Sequence, residues 1–233
     1  MSDEALSADA LRALIAPLEG LPVSLPWKGY GSAVFLEVGA LAPLSSKRQH
    51  HNSGEACIAV EWDWRVESGP VVLYGSSDSG PAIEVGLKTL QGLVVTSLTI
   101  EGRVPEIVVQ FSNSHVFRSM LMTAGTPQWS IKALDGRHIY ARDGTIQVGD
   151  GTTIATEEES AVIAHAECTA ERWGTPVALP TLGACRNCKF YLRIDGSFEL
   201  LDYGVCSSES SPLDGKVVNF DSGCPAFVKE HDA

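Results

Sequence analysis

From Leu25 to about residue 150 the hydrophobic period of this chain is 2, and turn residues interrupt it at intervals of about 8–12 residues. Few folds accept that pattern. A strand can turn one face to a core and the other to water only if its apolar side chains alternate. Strands this short and closely spaced pair antiparallel with their neighbours. The clearest run is "ACIAVEWDWRVE", with Ile58, Val60, Trp62, Trp64 and Val66 on one side and Glu61, Asp63, Arg65 and Glu67 on the other. It predicts one half-buried strand with both tryptophans in the core. "SAVFLEV", "PVVLYG", "LVVTSLTIEG", "EIVVQFS", "HVFRSMLM", "QWSIKAL" and "RHIYARD" continue the series. Turns are expected at Gly69-Pro70, Gly80-Pro81, Gly102, Asn113, Asp135-Gly136 and Asp143-Gly144, the Asp135-Gly136 pair suiting a tight hairpin because Gly accepts positive φ. The expected fold is mainly β, of the α+β class: an antiparallel sandwich or barrel.

Two helices frame this body. Ser7 to about Ala16 places Leu11, Leu14, Ile15 and Leu18 on one stripe with Ser7 as N-cap, and Pro17 and Gly20 stop it. In "ATEEESAVIAHAECTAERWG", Thr156 and Glu159 form a capping box, and Val162, Ile163, Ala166, Ala170 and Trp173 share a stripe that ends at Gly174. The Pro- and Gly-containing connector "TPVALPTLGA" then leads to the first of four cysteines. The expected organisation is a β-rich body with its N-terminal helix at 1–150, a linking helix and connector at 151–180, and a small cysteine module at 181–233.

That module carries the strongest chemical signal. Cys185, Cys188, Cys206 and Cys224 are spaced C-x2-C-x17-C-x17-C. The close pair forms a knuckle that offers two thiolates to one metal, and two more complete a four-sulfur shell. A Gly- and Asp-rich segment of this size could hardly hold a core alone. Four thiolates suit zinc or an iron–sulfur cluster. Structural zinc sites are usually built from two close pairs, whereas a four-iron cubane takes one sulfur at each corner and tolerates isolated ligands. Phe190, Tyr191, Phe198, Tyr203, Phe220 and Phe227 could shield a cluster or serve a zinc ribbon as a small core. The spacing favours a [4Fe–4S] cluster slightly, with zinc the alternative. Four thiolates close the shell, so the centre is expected to be structural rather than catalytic.

Other candidates are weaker. Glu61, Asp63 and Glu67 could pair as acid and base, but Arg65 among them reads as a solvated face. His165 and Cys168, at i and i+3 of the second helix, form an incidental pair, and Cys57 is a core or boundary thiol. His50-His51 lies in a polar loop without a third ligand. There is no nucleophile elbow, phosphate loop or dinucleotide fingerprint, and no catalytic residue is expected. The formal charge of -12 and the lack of Lys/Arg clusters argue against direct nucleic-acid binding. The opening "MSDEALSADALRALIAPLEG" is acidic where a signal peptide is basic, and no apolar run nears the roughly 18–20 residues of a membrane span. A cytoplasmic setting with reduced thiols is therefore expected, without membrane contact.

The pattern C-x2-C-x-[FY], then Gly-x-Cys, then Cys-x-x-Phe resembles the high-potential-iron-protein-like small subunits of glycyl radical enzymes. The resemblance implies a [4Fe–4S] cluster on Cys185, Cys188, Cys206 and Cys224. The segment "GVCSSESSPLDGKVVNFDSGC" is also similar to a bacterial four-cysteine family with the motif "GVC…SP.DG.VV..D.GC". In the body, "IAVEWDWRVE", "EGRVPEIVVQFS" and "PQWSIKALDGR" resemble small immunity-like bacterial proteins. The expected function is that of a non-enzymatic bacterial immunity protein that neutralises a toxin, with a nuclease as one candidate. Its acidic surface would meet a basic cleft on the partner. The alternative is an iron–sulfur redox or accessory subunit supporting an enzyme.

Overall fold

The computed structural model describes residues 4–5, 7–29, 31–43, 52–122, 127–142, 144–151, 157–173, 183–194 and 200–230. The chain divides into two compact units, Met1–Thr152 and Thr153–Ala233.

The first unit contains two antiparallel sheets. The larger holds β1 (Glu4–Ala5), β2 (Val23–Lys28), β3 (Val34–Ala42), β4 (Ser53–Val60), β10 (Trp129–Lys132), β11 (His138–Arg142) and β12 (Thr145–Gly149). Their order is β1-β12-β11-β10-β4-β3-β2. The smaller holds β5 (Trp64–Ser68), β6 (Val71–Gly75), β7 (Val95–Glu101), β8 (Glu106–Phe111) and β9 (His115–Ser119), in the order β6-β5-β9-β8-β7. Both sheets are open, so among the described residues the barrel alternative does not form. Along one side the edges are stitched together. Pro22 bridges Val94, Val23 N–H donates to Leu93 O (2.8 Å), and Val95 N–H donates to Leu21 O (2.9 Å). Glu19 adds a side-chain contribution, accepting from Leu98 N–H (3.1 Å) and from Arg12 (2.9 Å).

One core serves both sheets. Leu36, Ile58 and Ile131 come from the first, and Val66, Ile107 and Phe117 from the second, all at 2% exposure or less. Trp64 and Trp129 are fully buried, so each indole N–H needs an acceptor. Trp64 donates to Ser32 O (2.6 Å) and Trp129 to Pro105 O (2.8 Å). Helix α1 (Ala8–Ile15) starts as read from the sequence, with Ala10 N–H on Ser7 Oγ (3.2 Å), and it buries Leu14 and Ile15.

Two expectations are corrected here. "ACIAVEWDWRVE" is not one strand. It ends at Val60 in one sheet and resumes at Trp64 in the other, with Asp63 at a φ of 40° in the crossing. Trp62 therefore sits in a loop and is 44% exposed. The crossing is three residues long, so even-numbered positions face the core on both sides of it, and the alternation runs through the break unmarked. The second correction concerns Gly80-Pro81, which opens helix α2 (Gly80–Lys88) rather than a plain turn. Ser79 caps it through Ala82 N–H (3.4 Å), and Pro is tolerated in a first turn where its missing N–H has no partner to lose. Ile83 and Leu87 are buried. Gly86 lies against the Tyr74 ring, where a Cβ would come within 2.6 Å.

The second unit holds helix α3 (Glu157–Trp173) and a three-stranded antiparallel sheet. The strands are β13 (Tyr191–Arg193), β14 (Tyr203–Cys206) and β15 (Val217–Asn219), paired in that order. Trp173 meets the Tyr203 ring edge-on at 5.2 Å, and the Tyr203 hydroxyl donates to Ala170 O (2.9 Å). Of the expected stripe, Ala166 is buried, whereas Val162 is 53% exposed. Thr156 of the capping box and the 174–182 connector lie outside the described residues. Among the described residues, no helix is long and apolar enough to cross a membrane.

Candidate metal centre

The close cysteine pair sits on a 3-10 turn at Cys185–Asn187, closed by Cys188 N–H on Cys185 O (2.9 Å). Backbone hydrogen bonds clamp this knuckle from two directions. On one side Cys185 N–H donates to Ser222 O (2.7 Å) and Arg186 N–H to Phe220 O (2.9 Å). On the other, Lys189 N–H donates to Val228 O (3.0 Å), and Glu230 N–H donates to Asn187 O (2.9 Å). The close pair is thus anchored by residues on both sides of Cys224.

The isolated cysteines reach the same place by different routes. Cys206 ends β14 directly opposite Tyr191, the first residue of the strand that leaves the knuckle. Its N–H donates to Lys216 O (3.1 Å) and its carbonyl accepts from Gly215 N–H (2.8 Å), which closes the intervening loop. Cys224 lies on the segment returning from β15, held by Phe227 N–H on its carbonyl (3.2 Å). Its sulfur accepts from the buried Ser211 hydroxyl (3.2 Å), whose oxygen accepts in turn from Leu213 N–H (3.0 Å). All four cysteines line one recess, together with Phe190, Tyr191 and Phe227. Cys185, Cys206 and Cys224 are 5–6% exposed and Cys188 is half-buried. Among the described residues, Leu213 and Val218 join the three buried cysteines in one small core, with Tyr191 and Ala226 packed against it.

Electrostatics follow from that crowding. The Cys185 thiol is pushed up to about 11, by burial first and then by Cys188, Cys224 and Cys206 beside it. Each neighbouring thiolate opposes its ionisation, and a bound cation would offset that opposition. The donor set, four sulfurs on one recess, fits a soft four-coordinate metal or an iron–sulfur cluster in its chemistry. As placed, no three or more His, Cys, Asp or Glu side chains among the described residues form a group that could hold a metal ion.

The other candidates disperse. Glu61 lies in the crossing between sheets, with its N–H on Gln128 O (2.8 Å), while Glu67 pairs with Arg65 on β5. These carboxylates do not share the strand face that acid–base chemistry would use. His165 and Cys168 both lie on the exposed side of α3. Cys57 is half-buried on β4, its thiol pushed up by burial and by the carboxylate of Glu37. Glu37 is itself satisfied by Trp27 Nε1 (3.2 Å) and Gly54 N–H (2.8 Å). His50-His51 lies outside the described residues.

Two contributors to the centre carry no signal in the sequence. Ser211 looks like one of four serines in a polar loop, and nothing in "SSESSP" distinguishes the one that reaches a sulfur. Gly204 is the other: the Tyr191 ring lies where its Cβ would be, at 2.5 Å. A family model described as "Protein of unknown function (DUF3027)" matches residues 150–230, a span that takes in α3 and the cysteine module together. No curated protein and no solved structure matches the chain.

Proposed function

We propose that the second unit is a structural metal module whose four ligands are Cys185, Cys188, Cys206 and Cys224, and that the protein works by binding another protein rather than by catalysis. The observation that carries the metal reading is the convergence of four thiols, three of them buried, on one recess in a unit with almost no other core. A single zinc ion is the reading the architecture supports best. The wide spacing of Cys206 and Cys224 counts against zinc in the sequence. A knuckle beside a short antiparallel sheet overcomes that objection, because pairing to β13 and the return from β15 bring both isolated thiols to the knuckle. When bound, the ion would supply charge that holds the thiols ionised and would link the loops that backbone hydrogen bonds already hold side by side.

A [4Fe–4S] cluster is the second reading, favoured by the aromatic lining from Phe190, Tyr191 and Phe227 and by the resemblance to high-potential-iron-protein-like subunits. It would carry with it the redox or accessory role. Metal analysis of purified protein separates the two. One zinc per chain in a colourless sample supports the first. Four irons, with absorption at roughly 400 nm, support the second. No bound metal would remove both.

For the first unit the reading is a surface that docks a basic partner, with toxin neutralisation as its specific form. It is supported by exposed apolar side chains where three connections meet, in a chain whose net charge as a whole is -12. Trp62, Val104 and Met122 are 44%, 50% and 70% exposed. Their segments adjoin through Met120 N–H on Asp63 O (2.7 Å), Leu121 N–H on Glu106 (3.4 Å) and Trp129 Nε1 on Pro105 O (2.8 Å). Exposed Trp and Met side chains suit protein association. Co-expression with a basic toxin encoded beside it should give a salt-sensitive complex and protect the cell. A chain that protects no cell and forms no complex would not be an immunity protein.

A further inference from the structure

We propose that Cys188 is an oxidation site through which peroxide opens the centre, linking Cys188 to Cys185 and releasing the metal. The proposal rests on the single-zinc reading above and concerns how that site is regulated.

The four ligands are unequal. Cys185, Cys206 and Cys224 are 5–6% exposed, whereas Cys188 is half-buried and is the ligand an oxidant in solution meets first. Its neighbours in "CRNCK" include two cations, Arg186 and Lys189. Lys189 lies over the Phe190 ring at 4.7 Å, and Arg186 lies over Phe220 at 4.1 Å while pairing with Asp221. Both cations adjoin the partly exposed Cys188 along the chain, and basic surroundings favour the reaction of a cysteine with peroxide. The second thiol is held within reach by the knuckle. Cys188 N–H on Cys185 O closes a turn from i to i+3, which brings the two Cα atoms within about 7 Å. A disulfide spans about 4.4–6.8 Å between Cα atoms, so the bridge requires little movement.

The chemistry balances with hydrogen peroxide as the sole oxidant. The Cys188 thiolate attacks one peroxide oxygen, the O–O bond breaks, and the hydroxide that leaves takes a proton to become water. Cys188 is then a sulfenic acid. The Cys185 thiolate attacks that sulfur, the S–O bond breaks, and a second hydroxide leaves as water after protonation. Two thiolates have given up two electrons, and one peroxide has become two waters. Cys206 and Cys224 alone remain as ligands, and two thiolates do not retain the ion against competing chelators. Cys168, exposed on α3, is an internal control, since its oxidation should leave the recess untouched.

The test treats the intact, metal-loaded protein with stoichiometric hydrogen peroxide in the presence of a chromogenic zinc chelator. Alkylation and peptide mass spectrometry then map the thiols. The expected result is one zinc freed per Cys185–Cys188 disulfide, restored by reductant plus zinc and unchanged by Cys168→Ser. Lys189→Glu should keep the starting zinc content and slow the release several-fold. Zinc that stays bound while oxidation collects on Cys168, or a disulfide that joins Cys206 to Cys224, overturns the proposal and leaves the zinc reading standing. A purified protein with no metal, or with an iron–sulfur cluster, overturns both.

Discussion

At the scale of single residues, the proposed metal centre would depend as much on what holds the ligands as on the ligands themselves. Ser211 donates to the sulfur of Cys224 and steadies its own loop through Leu213. Groups in this position orient a ligand and spread its charge, and their loss typically weakens metal affinity roughly tenfold to a hundredfold. Ser211→Ala should therefore retain the fold when metal is in excess but lose zinc to a chelator that leaves the native protein loaded. Equal retention in both proteins would make the hydroxyl incidental. A second residue-scale prediction concerns His138 in the first unit. Its pKa lies below the ordinary 6.5, because burial disfavours the imidazolium and Lys132 repels it, with Asp150 opposing. A depressed histidine favours the neutral form in the fold. Its contribution to stability is therefore complete above the unfolded value near 6.5 and is lost as pH falls from there through the folded value. Urea unfolding between pH 7.5 and 5.5 should show the native chain losing stability relative to His138→Asn. Parallel pH profiles would rule out that role.

At the scale of elements, the alternating period locates β3 to β11 of the first unit, misses β1, β2 and β12, and fails at one informative point. Trp62 and Trp64 look equivalent in "AVEWDWRV", yet one is 44% exposed and the other 1%. Trp64→Ala should cost about 3–5 kcal/mol for the lost packing against Phe117 and Tyr74. Trp62→Gln should change stability by no more than about 0.5 kcal/mol. Denaturant titration of the two variants decides the matter, and comparable losses would restore the single-strand reading. The same limit explains α2. Nine residues beginning Gly-Pro look like a turn until the buried positions Ile83, Gly86 and Leu87 show their helical spacing. In the second unit the knuckle is legible because C-x2-C is a local feature. That Cys206 and Cys224 belong with it is also legible, from their count and residue type, but the route is not, because it depends on the register of β13 against β14 and on the return from β15.

At the scale of the whole molecule, the two units are stabilised by different means, and metal removal should separate them. The first unit has a core with four fully buried large aromatic side chains, Trp64, Trp129, Phe111 and Phe117. Among the described residues the module's core is Leu213 and Val218 with three cysteines, flanked by Tyr191 and Ala226, and small domains without a sufficient core depend on a metal or disulfides. Stripping a bound metal would leave Cys185, Cys206 and Cys224 buried, with the Ser211 hydroxyl on the Cys224 sulfur. Binding free energy is folding free energy in such a module, so chelation under reducing conditions should unfold it selectively. Hydrogen exchange should show amides of 183–230 losing protection while those of β3, β4 and β8 keep theirs. Calorimetry should resolve two transitions in the loaded protein and only the body's in the stripped one. Cys188→Ser should reproduce the stripped state even with zinc present, because one missing thiolate opens the shell. A module that keeps its protection after complete metal removal would mean that backbone pairing and a handful of apolar contacts suffice. The gathering of four thiols in one recess would then have to be explained by their reactivity rather than by the fold.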